Sequence, residues 1–213
     1  MIFLFDLDGT IVDSAEGIIN GLTYAFEKSG DEIPNNETIR KYIGPPFMDT
    51  FTRELGFSEK KSRYLIEVFR EYYVENGKYE SEPYTGMKDL LEEVSSKYKI
   101  AVATSKPEVQ AREILKNHGL YDYFEFVGGA TLDNSRIKKH DVIEYVLDNL
   151  NVGSRENTYM IGDRYPDILG ASKSGLKSIG VLWGYGTYDE LESYNANYIE
   201  ESVENLKDRI FSL

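Results

Sequence analysis

Two carboxylates, Asp6 and Asp8, follow an almost wholly apolar run, Ile2 to Leu7, and precede Gly9-Thr10. Side chains two apart on a strand point to the same face, so both acids are expected to project together at the strand's end. In open parallel sheets the carboxyl ends of strands are where ligands bind. Two ionised carboxylates this close repel, so one pKa rises unless a cation intervenes. Mg2+ takes carboxylate oxygens readily and is one such cation. A raised carboxyl pKa is also what a general acid needs. The plain alternative is a capped turn, with Asp8 and Thr10 hydrogen-bonded only to backbone. The apolar strand before the pair and the Gly-Thr after it favour the chemical reading.

Three later segments place polar residues at the end of an apolar run or at the start of a helical stretch. Thr104 closes Ile100-Ala101-Val102-Ala103, and Ser105-Lys106-Pro107 follow. A hydroxyl and an N–H there can bind a phosphate oxygen, and the helix expected from about Pro107 also favours anions at its N-terminus. Alternatively, Thr104 and Ser105 cap that helix. Lys106 reads either as part of the site or as a solvated side chain. Lys138 and Lys139 stand at the start of another helical stretch. Adjacent helical positions face about 100° apart, so only one of the two can point inward. His140 has no metal-ligand spacing around it and reads as structural. Finally, Met160-Ile161 runs into Gly162-Asp163-Arg164-Tyr165-Pro166-Asp167. Asp167 falls in the first turn of a helix, where the dipole favours an acid, so a purely structural role is open for it.

The run Phe5-Asp6-Leu7-Asp8-Gly9-Thr10 resembles the first motif of the haloacid dehalogenase-like superfamily. Ala103-Thr104-Ser105-Lys106-Pro107 resembles the second, and Lys139-His140-Asp141-Val142-Ile143 one branch's form of the third. Gly-Asp-x-x-x-Asp at Gly162 to Asp167 resembles the fourth. The motifs stand in the family's order and span nearly the whole chain. The resemblance implies a phosphoric monoester hydrolase in which Asp6 is the nucleophile and forms an aspartyl-phosphate. It implies that Asp8 protonates the leaving alkoxide and then activates water. It implies that Thr104 and Ser105 bind the substrate phosphate together with Lys139, which also neutralises the nucleophile. It implies Mg2+ held by Asp6, the Asp8 backbone carbonyl, Asp163 and Asp167. A true dehalogenase lacks the second aspartate, because a halide leaves without an acid. Receiver domains share some of the pattern but are about half this length. Gly162-Asp163-Arg164 with Gly180-Val181-Leu182-Trp183-Gly184-Tyr185-Gly186 resembles phosphoglycolate phosphatase relatives, especially a 5′-nucleotidase-like group. A phosphosugar mutase on the same scaffold and a non-catalytic phosphate- or metal-binding protein are the alternatives.

The elements that must position these residues are legible in outline. Apolar runs Ile2–Leu7, 100–103, 124–127, 158–161 and 178–182 alternate with amphipathic stretches near 87–97, 107–118, 139–150 and 166–174. That alternation predicts an α/β fold, a parallel sheet with helices on both faces. Residues 14–80 break the rhythm: Ile18, Ile19, Leu22 and Phe26, then Tyr64, Leu65, Val68, Phe69 and Tyr72, recur at helical spacing. They are read as an inserted all-α cap, with residues 1–13 and 81–213 forming the Rossmann-like core. Gly44-Pro45-Pro46-Phe47 is either a specificity loop or an inter-helix turn. Arg40 and Arg53 read as substrate contacts or solvated side chains.

The 213 residues carry a formal net charge of -13 and no cysteine, which excludes disulfides and thiol chemistry. So acidic a surface opposes nucleic acid and anionic membranes. No apolar run reaches the roughly 18 residues of a membrane span. The expected partner is a small-molecule phosphate ester, and the expected setting is cytoplasmic, as a monomer or weak homodimer. Because the global field repels such a substrate, the site needs local positive charge from a metal ion and lysines.

Overall fold

The computed structural model describes residues 1–133 and 135–213. It divides into two compact units: Met1–Asp13 with Glu82–Leu213, and Ser14–Ser81.

Among its described residues the first unit has eight strands: β1 Ile2–Phe5, β2 Val12–Asp13, β3 Glu82–Pro83, β4 Lys99–Pro107, β5 Phe126–Ala130, β6 Thr158–Gly162, β7 Lys177–Val181 and β8 Tyr198–Glu200. Six form one sheet in the order β5-β4-β1-β6-β7-β8, and every pairing in it is parallel. The short strands β2 and β3 pair antiparallel where the chain leaves and re-enters this unit. Alternate residues of the central strands enter two separate cores. Phe3, Phe5, Ile100, Val102, Tyr159 and Ile161 pack on one face with Met87, Leu90, Leu91 and Val94. Leu4, Ala101, Ala103 and Met160 pack on the other with Val142, Ile143, Val146 and Ala171. Burial on both faces is why these strands read as continuous apolar runs. It also confirms the α/β expectation.

The chain passes from β1 to β4 and β5 on one side, then returns to β6 on the other side of β1. Such a reversal opens a crevice at the carboxyl ends of the strands that flank it. Here those strands are β1, β4 and β6: Asp6 and Asp163 directly follow β1 and β6, and Thr104 lies in the carboxyl-terminal half of β4.

Strand boundaries differ from the sequence expectation most at β4, which runs on to Pro107 rather than ending at 103, and at β1 and β5. β1 stops at Phe5 rather than Leu7, because the Leu7 carbonyl accepts from Ile11 N at 2.9 Å and Val12 N at 3.0 Å and closes a turn. β5 begins at Phe126 rather than 124, after a 3-10 turn at Tyr121–Tyr123. β8, three residues long, is too short to stand out as an apolar run.

The second unit is helical, with no strand among its described residues. Ala15–Ser29 and Glu59–Glu75 pack together, Gly21 lying so close to Phe69 that a Cβ there would come within 2.8 Å of its ring. Phe47 stacks on Phe51 and meets Phe69 edge-on, with ring centroids 5.7 and 4.9 Å apart. The Gly44–Phe47 segment thus anchors its phenylalanine within this unit, just before the helical turn Phe47–Asp49.

Candidate active site

Asp6 extends the sheet by one more bond, its N–H donating to Ile161 O at 2.9 Å. Its Oδ1 accepts from Leu7 N at 2.8 Å and lies 2.8 Å from Lys139 Nζ. The chain then turns at once. Gly9 has φ +79°, and a Cβ on it would sit 2.3 Å from Asp163 Oδ2, so both conformation and space demand glycine. Both acids lie beyond the last residue of β1, so the strand-face spacing of the sequence does not by itself set their directions. Asp8 instead meets Lys106, whose Nζ donates to Oδ1 at 2.8 Å and Oδ2 at 2.7 Å. Asp6 thus faces Lys139 and Asp8 faces Lys106.

Asp163 is fully buried directly after β6. Its Oδ2 accepts from Tyr185 N at 2.8 Å and its Oδ1 from the Thr10 hydroxyl at 3.3 Å. The Trp183–Tyr185 segment is moulded to this carboxylate. A Cβ on Gly184 would lie 2.4 Å from Asp163 Oδ2 and 2.3 Å from Gly9 O, and Trp183 Nε1 donates to Thr10 O at 3.0 Å. Asp167 does two things at once. Oδ2 caps its own helix, Tyr165–Lys173, by accepting from Arg164 N at 3.1 Å. Oδ1 lies 2.8 Å from Lys139 Nζ as an ion pair by distance, off the direction of a hydrogen bond.

Lys139, the first residue of the helix Lys139–Asn149, is buried, while Lys138 is exposed. Only Lys139 therefore reaches the site, and its Nζ also donates to Ala103 O at 3.1 Å. Thr104 is buried, and its Oγ1 accepts from Lys106 N at 3.2 Å. It does not cap the following helix, which starts at Glu108 with Pro107 as its cap residue. Ser105 is half-buried beside it. His140 bonds Ser174 Oγ through Nδ1 at 2.8 Å, in keeping with a structural role. Lys106 is the residue that sequence reasoning undervalued. Nothing in its neighbours' types separates a buried lysine from a solvated one. Tyr185 and Gly184 were noted only as part of a family-like run, since a backbone N–H carries no sequence signal.

Oxygens of Asp6, Asp163 and Asp167 all lie within 4.8 Å of one another, the acidic group among the described residues able to hold a metal. Lys139 meets two of these three carboxylates, Asp6 and Asp167, and not the third. Burial, then Asp167 and Asp6, push the Asp163 carboxyl well above the usual range, and Tyr185 N–H and Arg164 offset this only in part. Burial likewise raises Asp167 to about 6, against the pull of Lys139 and with the push of Asp6. Burial alone would lower the Lys139 ammonium, but Asp167 and Asp6 outweigh it and hold it above the ordinary lysine range. Surplus negative charge on convergent oxygens suits a hard divalent cation.

Residues 3–181 match the family model described as haloacid dehalogenase-like hydrolase. The chain belongs to that family. Its haloacid dehalogenase-like relatives include a 5′-nucleotidase from Pseudomonas aeruginosa, 36% identical over 92% of this chain and 88% of the relative. They also include tyrosine-protein kinase PtkA from Mycobacterium tuberculosis, 33% identical over 94% of this chain and 68% of the kinase. A phosphoglycolate phosphatase from Aquifex aeolicus is 33% identical over 86% and 85% of the two chains. Among solved structures, one described as a predicted phosphatase from Clostridium acetobutylicum superposes with a TM-score of 0.96 at 38% identity, covering 100% of this chain and 98% of that one. As a haloacid dehalogenase-like hydrolase the chain is an enzyme, and no helix of its described residues is long and apolar enough to cross a membrane.

Proposed function

We propose that the chain is a Mg2+-dependent phosphomonoesterase acting through phospho-Asp6 on a small ester. The observation that carries this reading is Lys139 Nζ within 2.8 Å of both Asp6 and Asp167, in one cluster with Asp163. Asp6, Asp163 and Asp167 would hold the metal, with the Asp8 backbone carbonyl as a fourth ligand. Bound there, Mg2+ would neutralise phosphate charge and steady its oxygens.

Asp6 Oδ1 is engaged by Leu7 N–H and Lys139, so Oδ2 is the attacking atom in this reading. It forms a bond to phosphorus as the ester P–O bond breaks, and protonated Asp8 gives its proton to the departing alkoxide. Asp8, now a carboxylate, takes a proton from water. The water oxygen attacks phosphorus, the P–O bond to Asp6 breaks, and inorganic phosphate leaves. Thr104, with Ser105, and Lys139 bind the phosphate oxygens, where preorganised donors contribute most.

The phosphoglycolate phosphatase and 5′-nucleotidase relatives support a small phosphomonoester as substrate. The PtkA relative favours one second reading, transfer of the phosphoryl group to a tyrosine in place of water. A panel of nucleoside monophosphates and small phosphate esters, run with Mg2+ and with chelator, separates them. Mg2+-dependent phosphate release that vanishes in Asp6→Asn supports the phosphatase. Label passing to protein without release supports the kinase. Full turnover in Asp6→Asn would refute both.

A further inference from the structure

Among the buried cations that the mechanism leaves unused is Lys106. Lys106 lies two residues beyond Thr104 in β4, with its side chain 5% exposed. Burying an ammonium is costly unless it is paired, and this one takes both oxygens of Asp8. The backbone is shaped for the purpose. The β4–β5 register shifts between Ala103 and Pro107, an irregularity of the kind that re-aims a side chain. Lys106 N–H is tied to Thr104 Oγ1, and a Cβ on Gly129 would lie 2.6 Å from Lys106 O. Lys106 is therefore held at both its backbone and its ammonium.

We infer that Lys106 is a positioning residue for Asp8, fixing the plane and rotamer of that carboxyl group so that it meets the leaving oxygen. The inference rests on the acid–base role proposed for Asp8. Asp8 lies in a turn, not in the sheet, so the sheet ladder does not orient its side chain; the two contacts from Lys106 do. A general acid acts only within hydrogen-bond reach of the atom it protonates, and loss of orientation slows that step without weakening phosphate binding.

The test uses two leaving groups and a double-variant cycle. An alkyl phosphate needs an acid for its alkoxide, whereas p-nitrophenyl phosphate releases a stable phenolate without one. Single-turnover release of the alcohol or phenol is measured with Mg2+ in wild type, Lys106→Met, Asp8→Asn and the double variant. Lys106→Gln serves as a second probe of the same size should the methionine variant fail to fold. Lys106 variants are expected to slow alcohol release about 10- to 100-fold and phenol release less than about 3-fold. They should add nothing in the Asp8→Asn background, and Lys106→Arg should recover part of the rate. Equal slowing of both esters, a loss that adds to that of Asp8→Asn, or no loss would overturn the inference. Intact alcohol release in Asp8→Asn alone would bring down the acid–base reading and the inference with it.

Discussion

Lys139 Nζ lies 2.8 Å from Asp6 Oδ1, so the candidate nucleophile is held by a cation carried on the helix that follows β5. The same ammonium faces Asp167 at 2.8 Å and donates to Ala103 O at 3.1 Å. One side chain thereby ties together the residue after β1, the middle of β4 and the helix after β6.

That tie predicts a large effect of Lys139→Met. Removing one partner of a buried ion pair leaves uncompensated charge and costs about 3–5 kcal/mol. Urea unfolding of the metal-free protein at neutral pH should show a loss of that order. Phosphate-ester turnover should fall at least about 100-fold, because a fixed cation beside the transferred group is lost. Lys138→Met, at an exposed position, should change stability by less than about 0.5 kcal/mol. Similar losses in the two variants would contradict the assignment of Lys139.

The raised carboxyls predict an inverted pH dependence. Asp167 is raised from 3.8 to about 6, so the folded chain holds its proton more tightly than the unfolded chain does. That contribution to stability is complete below pH about 4 and is lost as pH rises through about 6. Asp163 has the same sign. In chelator, the stability advantage of wild type over Asp167→Asn should therefore shrink between pH 4.5 and 7.5. Apparent Mg2+ affinity should rise over the same interval, as fewer protons have to be displaced. Parallel stability curves for the two proteins would rule this out.

Gly184→Ala should act through Asp163. The added Cβ would fall 2.4 Å from Asp163 Oδ2 and 2.3 Å from Gly9 O, two groups with little room to retreat. Overpacking of this kind costs about 1–3 kcal/mol, and the Mg2+ concentration giving half-maximal activity should increase about 10-fold or more. Calorimetric Mg2+ binding indistinguishable from wild type would show that the loop does not support the metal ligand.

The sheet was legible because its central strands are apolar on both faces and its helices are amphipathic. Leu4 and Phe5 sit in different cores, and both had to be apolar. Asp6, Thr104, Lys139 and Asp163 were legible because each follows an apolar run or opens a helix. The relation between Asp6 and Asp8 was not. It depends on a turn whose closure by the Leu7 carbonyl is a backbone matter, and on a lysine brought in from β4. The support that Tyr185 N–H gives Asp163 was hidden for the same reason. Where hydrogen bonds come from the main chain, side-chain types carry little record of them.

The central claim is that phosphate passes through Asp6. Borohydride reduces an acyl phosphate, so treating the enzyme during turnover with Mg2+ and then sequencing its peptides by mass spectrometry reads the intermediate directly. The account predicts homoserine at position 6, dependent on both substrate and Mg2+. Modification at another carboxylate, or unmodified Asp6 under conditions of full turnover, would contradict it.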